Sequence, residues 1–194
     1  MREAIKKLRE KTAAGIMDCK KALKDASGDV EKAVEILRKR GIKLASEKSS
    51  RAAKDGRVES YIHANGKIGV LVEINCETDF VARNEEFKEF IKNIAMQIAA
   101  ARPEYVKRED VPASVLKKEK EILSATLKDK PKPACDKILT GKLEKFYEEN
   151  CLTDQPFIKD PKTKVKDLLQ AFIAKIGENI VIRRFARYQL GEEI

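Results

Sequence analysis

The sequence predicts an α+β protein, a small three-helix bundle followed by a core in which a small antiparallel sheet packs with helices. Three observations carry this. Apolar residues recur at helical spacing through roughly the first forty positions. The period then switches to two on either side of Asn65-Gly66. After a long return to helical spacing the chain closes on "NIVIRRFARYQL", a run of β-forming residues that can join the earlier strands in one sheet.

Taken in order, the first helix places Ala4, Ile5 and Leu8 on one face and is broken by "TAAG" at 12–15. The second runs through "IMDCKKALKDA", with Ile16, Cys19, Lys20 and Leu23 at helical spacing, and "SGD" at 27–29 stops it. Asp29 is a natural N-cap for a third helix with Val30, Ala33, Val34 and Leu37 on one side. Gly41 suits a left-handed C-terminal cap for that helix. Residues 43–57, "KLASEKSSRAAKDGR", lose large apolar side chains after Leu44 and read as a hydrated, partly helical linker.

"VESYIHA" and "KIGVLVEINC" flank Asn65-Gly66, a two-residue hairpin signal because both turn positions need positive φ. Ile68, Val70, Val72, Ile74 and Cys76 share one face of the second strand, while Gly69 and Leu71 lie on the other, beside Ile62. Apolar residues on both faces predict that both are covered. A helix from about Asn84, its N-cap, carries a stripe of Phe87, Ile91, Ile94, Ala95 and Ile98 and ends at Arg102-Pro103. Pro112 opens another, running through Val115, Leu116, Ile122, Leu123 and Leu127. "KDKPKP" at 128–133 breaks the pattern before a helix over 134–149, and "TDQPFIKDPKT" reads as a loop. The last helix places Val165, Leu168, Leu169, Phe172, Ile173 and Ile176 on one stripe, and Gly177 ends it. The domain organisation follows: a bundle over 1–42, a linker over 43–57, and a core over 58–194.

Composition excludes several classes. With 42% apolar and 38% charged residues over 194 positions, the chain has material for a real core and a heavily charged surface. No apolar run approaches a membrane span, and the charged helical pattern after Met1 gives no sign of a signal or transit peptide, so the expected location is the cytoplasm. A net charge of +9 favours an acidic partner, RNA or protein. Four cysteines at 19, 76, 135 and 151 form no C-x-x-C pair, and with a single histidine, His63, no metal site is expected. Cys19 and Cys76 are read as small core residues.

Catalytic and nucleotide-binding motifs are missing from the sequence. There is no G-x-x-x-x-G-K-[ST] or G-x-G-x-x-G, hence no phosphate-cradling loop, no expected cofactor and no expected direct nucleotide binding. His63 sits in a predicted strand with no neighbouring nucleophile, so an enzyme is not indicated. For RNA the best candidates are Arg183, Arg184 and Arg187 on the final strand, which read equally well as charges guarding an edge.

The segment that resists a bland description is Thr78-Asp79-Phe80-Val81, at the corner between the second strand and the helix after it. Thr78 can cap a short turn and Asp79 favours a helix N-terminus. Phe80 either tucks into the core or is held outward by its rigid neighbours as an interface anchor; spacing alone leaves both open.

Two stretches carry a resemblance: "LREKTAAGIMDCKKALKDASGDVEKAVEILRKRG" near the start and "GVLVEINCETDFVARNEEF" after the hairpin. With "REDVP", "GKLEKFYEE", "DQPFIKD" and "KTKVKDLL" in order behind them, the chain resembles the bacterial elongation factor Ts family along essentially its whole length. The resemblance implies a guanine-nucleotide exchange factor for elongation factor Tu, the GTPase that delivers aminoacyl-tRNA, and a ubiquitin-associated-like fold for the N-terminal bundle. It implies that the bundle docks on Tu, through Gly15, Ile16, Met17, Lys20 and Lys21 as the expected contacts. It also implies that Thr78, Asp79, Phe80 and Val81 enter the nucleotide-binding domain of Tu near its Mg²⁺, with Phe80 as a wedge and Asp79 helping to displace the metal. With one hairpin the chain is similar to the short members of the family, in which two chains supply two halves. A homodimer through the core sheet is therefore expected, with His63 reaching Tu from the second subunit. The cysteine that bridges some short-form dimers has no counterpart in residues 177–194. The alternative is an RNA-binding translation accessory protein.

Overall fold

A computed structural model describes residues 1–12, 14–63, 65–125 and 132–192, with side chains described from residue 137 in the last segment. Leu127, most of the expected break at 128–133 and the side chain of Cys135 lie outside the described residues. Within them the order is α1 (Arg2–Thr12), α2 (Ile16–Asp25), α3 (Val30–Lys48), β1 (Asp55–His63), β2 (Ile68–Cys76), α4 (Asp79–Arg83) and α5 (Glu85–Ala101). Then follow α6 (Ala113–Ala125), α7 (Lys132–Asn150), β3 (Pro156–Phe157), β4 (Asp160–Lys164), α8 (Val165–Ile176) and β5 (Val181–Gln189). This is the expected α+β class.

The chain divides into two compact units. The first comprises Met1–Arg57, Ile74–Lys88 and Asp167–Val181. Its bundle core is Leu8, Cys19, Ala22, Leu23, Ala26 and Ala33, with Ile5, Val34 and Leu37 packed against it. Asp29 caps α3 as the sequence indicates, accepting from the backbone N–H groups of Glu31 and Lys32 at 2.9 and 3.1 Å. Gly28, at φ 88°, turns the chain between α2 and α3, its N–H reaching the Leu23 carbonyl at 2.8 Å.

Gly41 corrects an expectation. It does not cap α3; the helix passes through it to Lys48, so the first residues of the predicted linker are helical. Gly41 is buried, and a Cβ there would stand 3.4 Å from the Ala174 Cβ of α8. The missing side chain serves a close helix–helix approach rather than a left-handed turn. Arg38–Asp167 at 3.0 Å and a Lys48 contact to the Gly177 carbonyl join α3 to the same helix. α8 ends at Gly177, φ 82°, as expected, and Phe172 stacks on Phe87 with centroids 6.4 Å apart. Gly56, at φ 142°, has a Cβ position only 2.3 Å from the Ile74 carbonyl oxygen, so only glycine lets β1 start there.

The second unit comprises Val58–Glu73, Glu89–Lys166 and Ile182–Ile194. Asn65 and Gly66 have φ 57° and 82°, the two positive values the hairpin needs. β5 joins the sheet beside β2, in the order β1-β2-β5. Leu190 N–H bonds to the Lys67 carbonyl, and Arg184 meets Glu73 at 2.7 Å, so the two strands run antiparallel. Val70 and Val72 are buried on one face. The opposite face differs from expectation: Ile62 and Leu71 are 64% and 50% exposed, with Val58 and Tyr188 also open.

On α5, Ile91, Ile94, Ala95 and Ile98 of the expected stripe are buried, and so is Phe90 next to it. Gln97 is buried on the same helix. Its side-chain amide donates to Gln155 Oε1 and the Pro156 carbonyl at 3.1 and 3.2 Å, and its Oε1 accepts from Ile158 N–H at 2.8 Å. The predicted loop 153–163 is thus not structureless: it contains the β3–β4 pair, ordered by that glutamine. Arg108 holds α7 by two bonds to Glu144, at 2.8 and 2.7 Å, a third to Asp154 at 2.7 Å, and its position 4.6 Å over the Tyr147 ring. No helix among the described residues is long and apolar enough to cross a membrane.

Candidate functional site

The corner after β2 is built from its backbone outward. Cys76 is the last residue of β2, buried, with its thiol donating to the Thr78 carbonyl at 3.1 Å. Burial pushes that thiol up to about 11, and the nearby Glu178 carboxylate adds to the shift, so it stays protonated at neutral pH. Thr78 leaves the strand in extended conformation and caps α4, its hydroxyl accepting from Val81 N–H at 3.5 Å. Ala82 is buried beneath the short helix. Asn84, extended again, separates α4 from α5 and caps the latter through Glu86 N–H at 2.8 Å.

This geometry decides the fate of Phe80. It is 81% exposed, among the most exposed large apolar side chains of the described residues. The core alternative left open by spacing fails, because the α4 turn places Ala82, rather than Phe80, on the inner side. Asp79 stands at the first position of α4, paired with Arg83 one turn on at 2.9 Å. Val81 is half-buried beside them.

A second segment, 100 residues away in sequence, fixes the corner. Glu178 lies just past the glycine that ends α8. Its Oε2 accepts from the backbone N–H groups of Glu77 and Thr78 at 3.0 and 3.1 Å, and its Oε1 accepts from the Thr78 hydroxyl at 2.7 Å. The exchange is reciprocal, for Asn179 N–H donates to Glu77 Oε1 at 2.6 Å. Arg51 pairs with Glu77 at 3.5 Å, and the Asn179 side chain donates to the Arg51 carbonyl at 2.7 Å. The Asn179 N–H, helped by Arg51, holds the Glu77 carboxyl below its ordinary value. A depressed carboxyl contributes fully at neutral pH and loses its contribution only on acidification through that lowered value.

Sequence reading missed Glu77, Glu178, Asn179 and Arg51. Periodicity cannot link groups this far apart along the chain. The available signal was polar: Glu178 and Asn179 sit side by side directly after a helix-ending glycine, where one expects a loop to turn outward to water.

The other expected site residues fall as follows. Gly15, Lys20 and Lys21 are exposed at the start of α2, and Ile16 and Met17 are 55% and 72% exposed. The bundle core takes Cys19, Ala22 and Leu23 from that helix instead. This patch belongs to the same compact unit as the corner. His63 belongs to the other unit; it is exposed at the end of β1, and its Nδ1 lies 2.9 Å from the Tyr61 hydroxyl with the rings stacked.

The three terminal arginines do not behave alike: Arg183 is exposed, and Arg184, also exposed, carries an ion pair. Arg184 pairs with Glu73, and the buried Arg187 side chain bonds to the Ala99 carbonyl, Gln189 and Glu192. Cys19, Cys76 and Cys151 are free and buried, as small core residues are.

The family model described as Elongation factor TS matches residues 1–172. Elongation factor Ts of Caldanaerobacter subterraneus subsp. tengcongensis is 60% identical over 194 residues, 99% of this chain and 97% of the relative. That of Thermotoga maritima is 60% identical over 190 residues, 98% of this chain and 96% of the relative. That of Carboxydothermus hydrogenoformans is 61% identical over 192 residues, covering 98% of this chain and 88% of the relative. These relatives are of nearly the same length as this chain, which agrees with its resemblance to the short members. With both quoted motifs inside the matched span and about 60% identity over nearly the whole chain, the chain belongs to the elongation factor Ts family.

Proposed function

We propose that this chain acts as the guanine-nucleotide exchange factor of elongation factor Tu through the corner at residues 78–81. The observation that carries this is the 81% exposure of Phe80 on a hydrogen-bonded strand-to-helix corner. An aromatic ring held rigidly in solvent is suited to fill a partner's pocket, because little ordering remains to be done on binding.

In this mechanism Phe80 is inserted between helices of the nucleotide-binding domain of Tu and shifts the elements that hold phosphate. Asp79, released from Arg83, brings a carboxylate to the groups around Mg²⁺. Loss of the metal leaves the GDP phosphates less neutralised and weakens their hold. Reciprocity then requires nucleotide to weaken the binding of this chain by the same factor, so incoming GTP expels it. Gly15, Ile16, Met17, Lys20 and Lys21 dock the bundle on the same partner. The functional division proposed is a docking module over 1–42, a connecting segment over 43–57 and a core over 58–194, assigned by role and not by the two compact units. The site of action is the cytoplasm, where translation takes place.

The active form is a homodimer. The exposed apolar sheet face of Val58, Ile62, Leu71 and Tyr188 supports this, since such a patch on a soluble chain marks an interaction surface. His63 on the neighbouring strand end then reaches Tu from the second subunit.

The test is release of fluorescent GDP from a bacterial Tu, with and without the chain. Faster release supports the reading, and an unchanged rate at saturating chain rejects it.

A further inference from the structure

Phe80 is exposed, so packing of its own ring cannot be what aims it. α4 has five residues, too few to be stable as an isolated helix. Beyond the packing of Ala82 beneath the helix, the direction of the ring is therefore set by whatever fixes the backbone where α4 begins. Glu178 meets that backbone through two N–H groups and the capping hydroxyl, and Asn179 returns a bond to Glu77. Glu178 also controls the cap itself, because a Thr78 hydroxyl that donates to Glu178 Oε1 leaves its lone pairs turned toward Val81 N–H.

We propose that Glu178 is a positioning residue for exchange: its carboxylate locks residues 77 and 78 so that α4 starts in one orientation and Phe80 points in one direction. This rests on the exchange reading above. Glu178 need not touch the partner. It acts through the corner, so its removal should matter only as far as Phe80 matters.

A carboxylate is well suited to this task. It is acceptor-only, and it meets three converging donors. A glutamine can take over most of the arrangement, its carbonyl oxygen accepting from the two N–H groups and its amide donating to the Thr78 hydroxyl. Alanine can take over none of it.

The experiment uses the full chain as wild type, Glu178→Ala and Glu178→Gln, each with and without Phe80→Ala. Amide hydrogen exchange at Glu77 and Thr78 is measured without any partner. It should quicken in Glu178→Ala and stay near wild type in Glu178→Gln. The chain has no tryptophan, so Phe80→Trp provides a single reporter; its time-resolved anisotropy should fall when Glu178→Ala is added. Stimulated GDP release should slow by about ten-fold or more in Glu178→Ala, the scale of a misplaced functional group, and be largely restored in Glu178→Gln. In the Phe80→Ala background Glu178→Ala should cause little further loss.

Unchanged protection of the Glu77 and Thr78 amides in Glu178→Ala overturns the proposal. So does an equal slowing of release with and without Phe80, which is what a merely structural role gives. Should Glu178→Ala not fold, Thr78→Val carries the comparison in its place, with Glu178→Gln kept as the near-wild-type control. Thr78→Val, lacking the hydroxyl, should lose rigidity at the tryptophan reporter of the Phe80→Trp chain, and an unchanged anisotropy there counts against the lock. If the wild-type chain itself does not speed GDP release, the exchange reading falls, and the amide and anisotropy measurements alone decide whether Glu178 holds the corner.

Discussion

Truncating Phe80 separates a tool from a core residue, and the structure supplies both magnitudes. With 81% of its surface exposed, about a fifth of the ring contributes to folding. Full burial of a phenylalanine contributes roughly 1.5–3 kcal/mol, so Phe80→Ala removes about 0.3–0.6 kcal/mol. For a chain of this size that is a change in Tm of about 2 °C or less. At an interface the same truncation costs on the order of 2 kcal/mol or more. Since 1.36 kcal/mol is ten-fold in rate, stimulated GDP release should slow by about thirty-fold. The assay is stopped-flow release of fluorescent GDP from Tu at millimolar Mg²⁺ and again with the metal chelated, alongside a thermal melt of the free variant. The slowing should appear in both metal conditions, because the ring acts by packing. A large fall in Tm, with release reduced only in proportion to the folded fraction, would refute the reasoning.

Asp79→Ala should slow release strongly at millimolar Mg²⁺ and much less in chelator, since no metal then remains to be displaced; equal losses in both conditions would remove Asp79 from the metal step. Met17→Asp should weaken binding to Tu, measured by calorimetry, with an unchanged melt, because the side chain is 72% exposed and outside the bundle core; unaltered affinity in a folded variant rejects the docking patch. Sedimentation of the wild type at micromolar concentration should give about twice the mass of one chain, and Leu71→Asp should shift it to monomer by placing a charge in the apolar sheet face. A monomeric wild type with full exchange activity would sink both the dimer and the role of His63.

Much of the fold was legible because local rules governed it. Asp29, Asn84 and Gly177 act at the helix ends where capping chemistry puts them, and Asn65-Gly66 sets the hairpin. The misreadings occurred where a tertiary contact outranked a local rule. Gly41 looked like a cap because glycine is favoured there, yet the approach of α8 is what needs its small size. The 153–163 segment looked like a loop because its strands are short, and they are ordered by Gln97 from another helix. At the site, the capped corner at residues 78–81, proposed above as the exchange element, was legible from motif and corner chemistry. The residues that hold it were not, because Glu178 meets Thr78 across 100 positions.

That division has a physical basis. An exposed ring gains nothing from the core and so cannot be aimed by packing without ceasing to be available. Its orientation must come from directional bonds to the backbone beneath it, and such bonds cost little in the folded state only if every donor and acceptor is matched. The corner meets this condition: the two N–H groups and the hydroxyl at residues 77 and 78 converge on one carboxylate, while the Glu77 carboxylate takes the N–H of Asn179 and the charge of Arg51. A hydrophobic clamp would have drawn Phe80 inward. A reciprocal polar one leaves the ring in water and rigid, which lowers the ordering cost of inserting it into a partner.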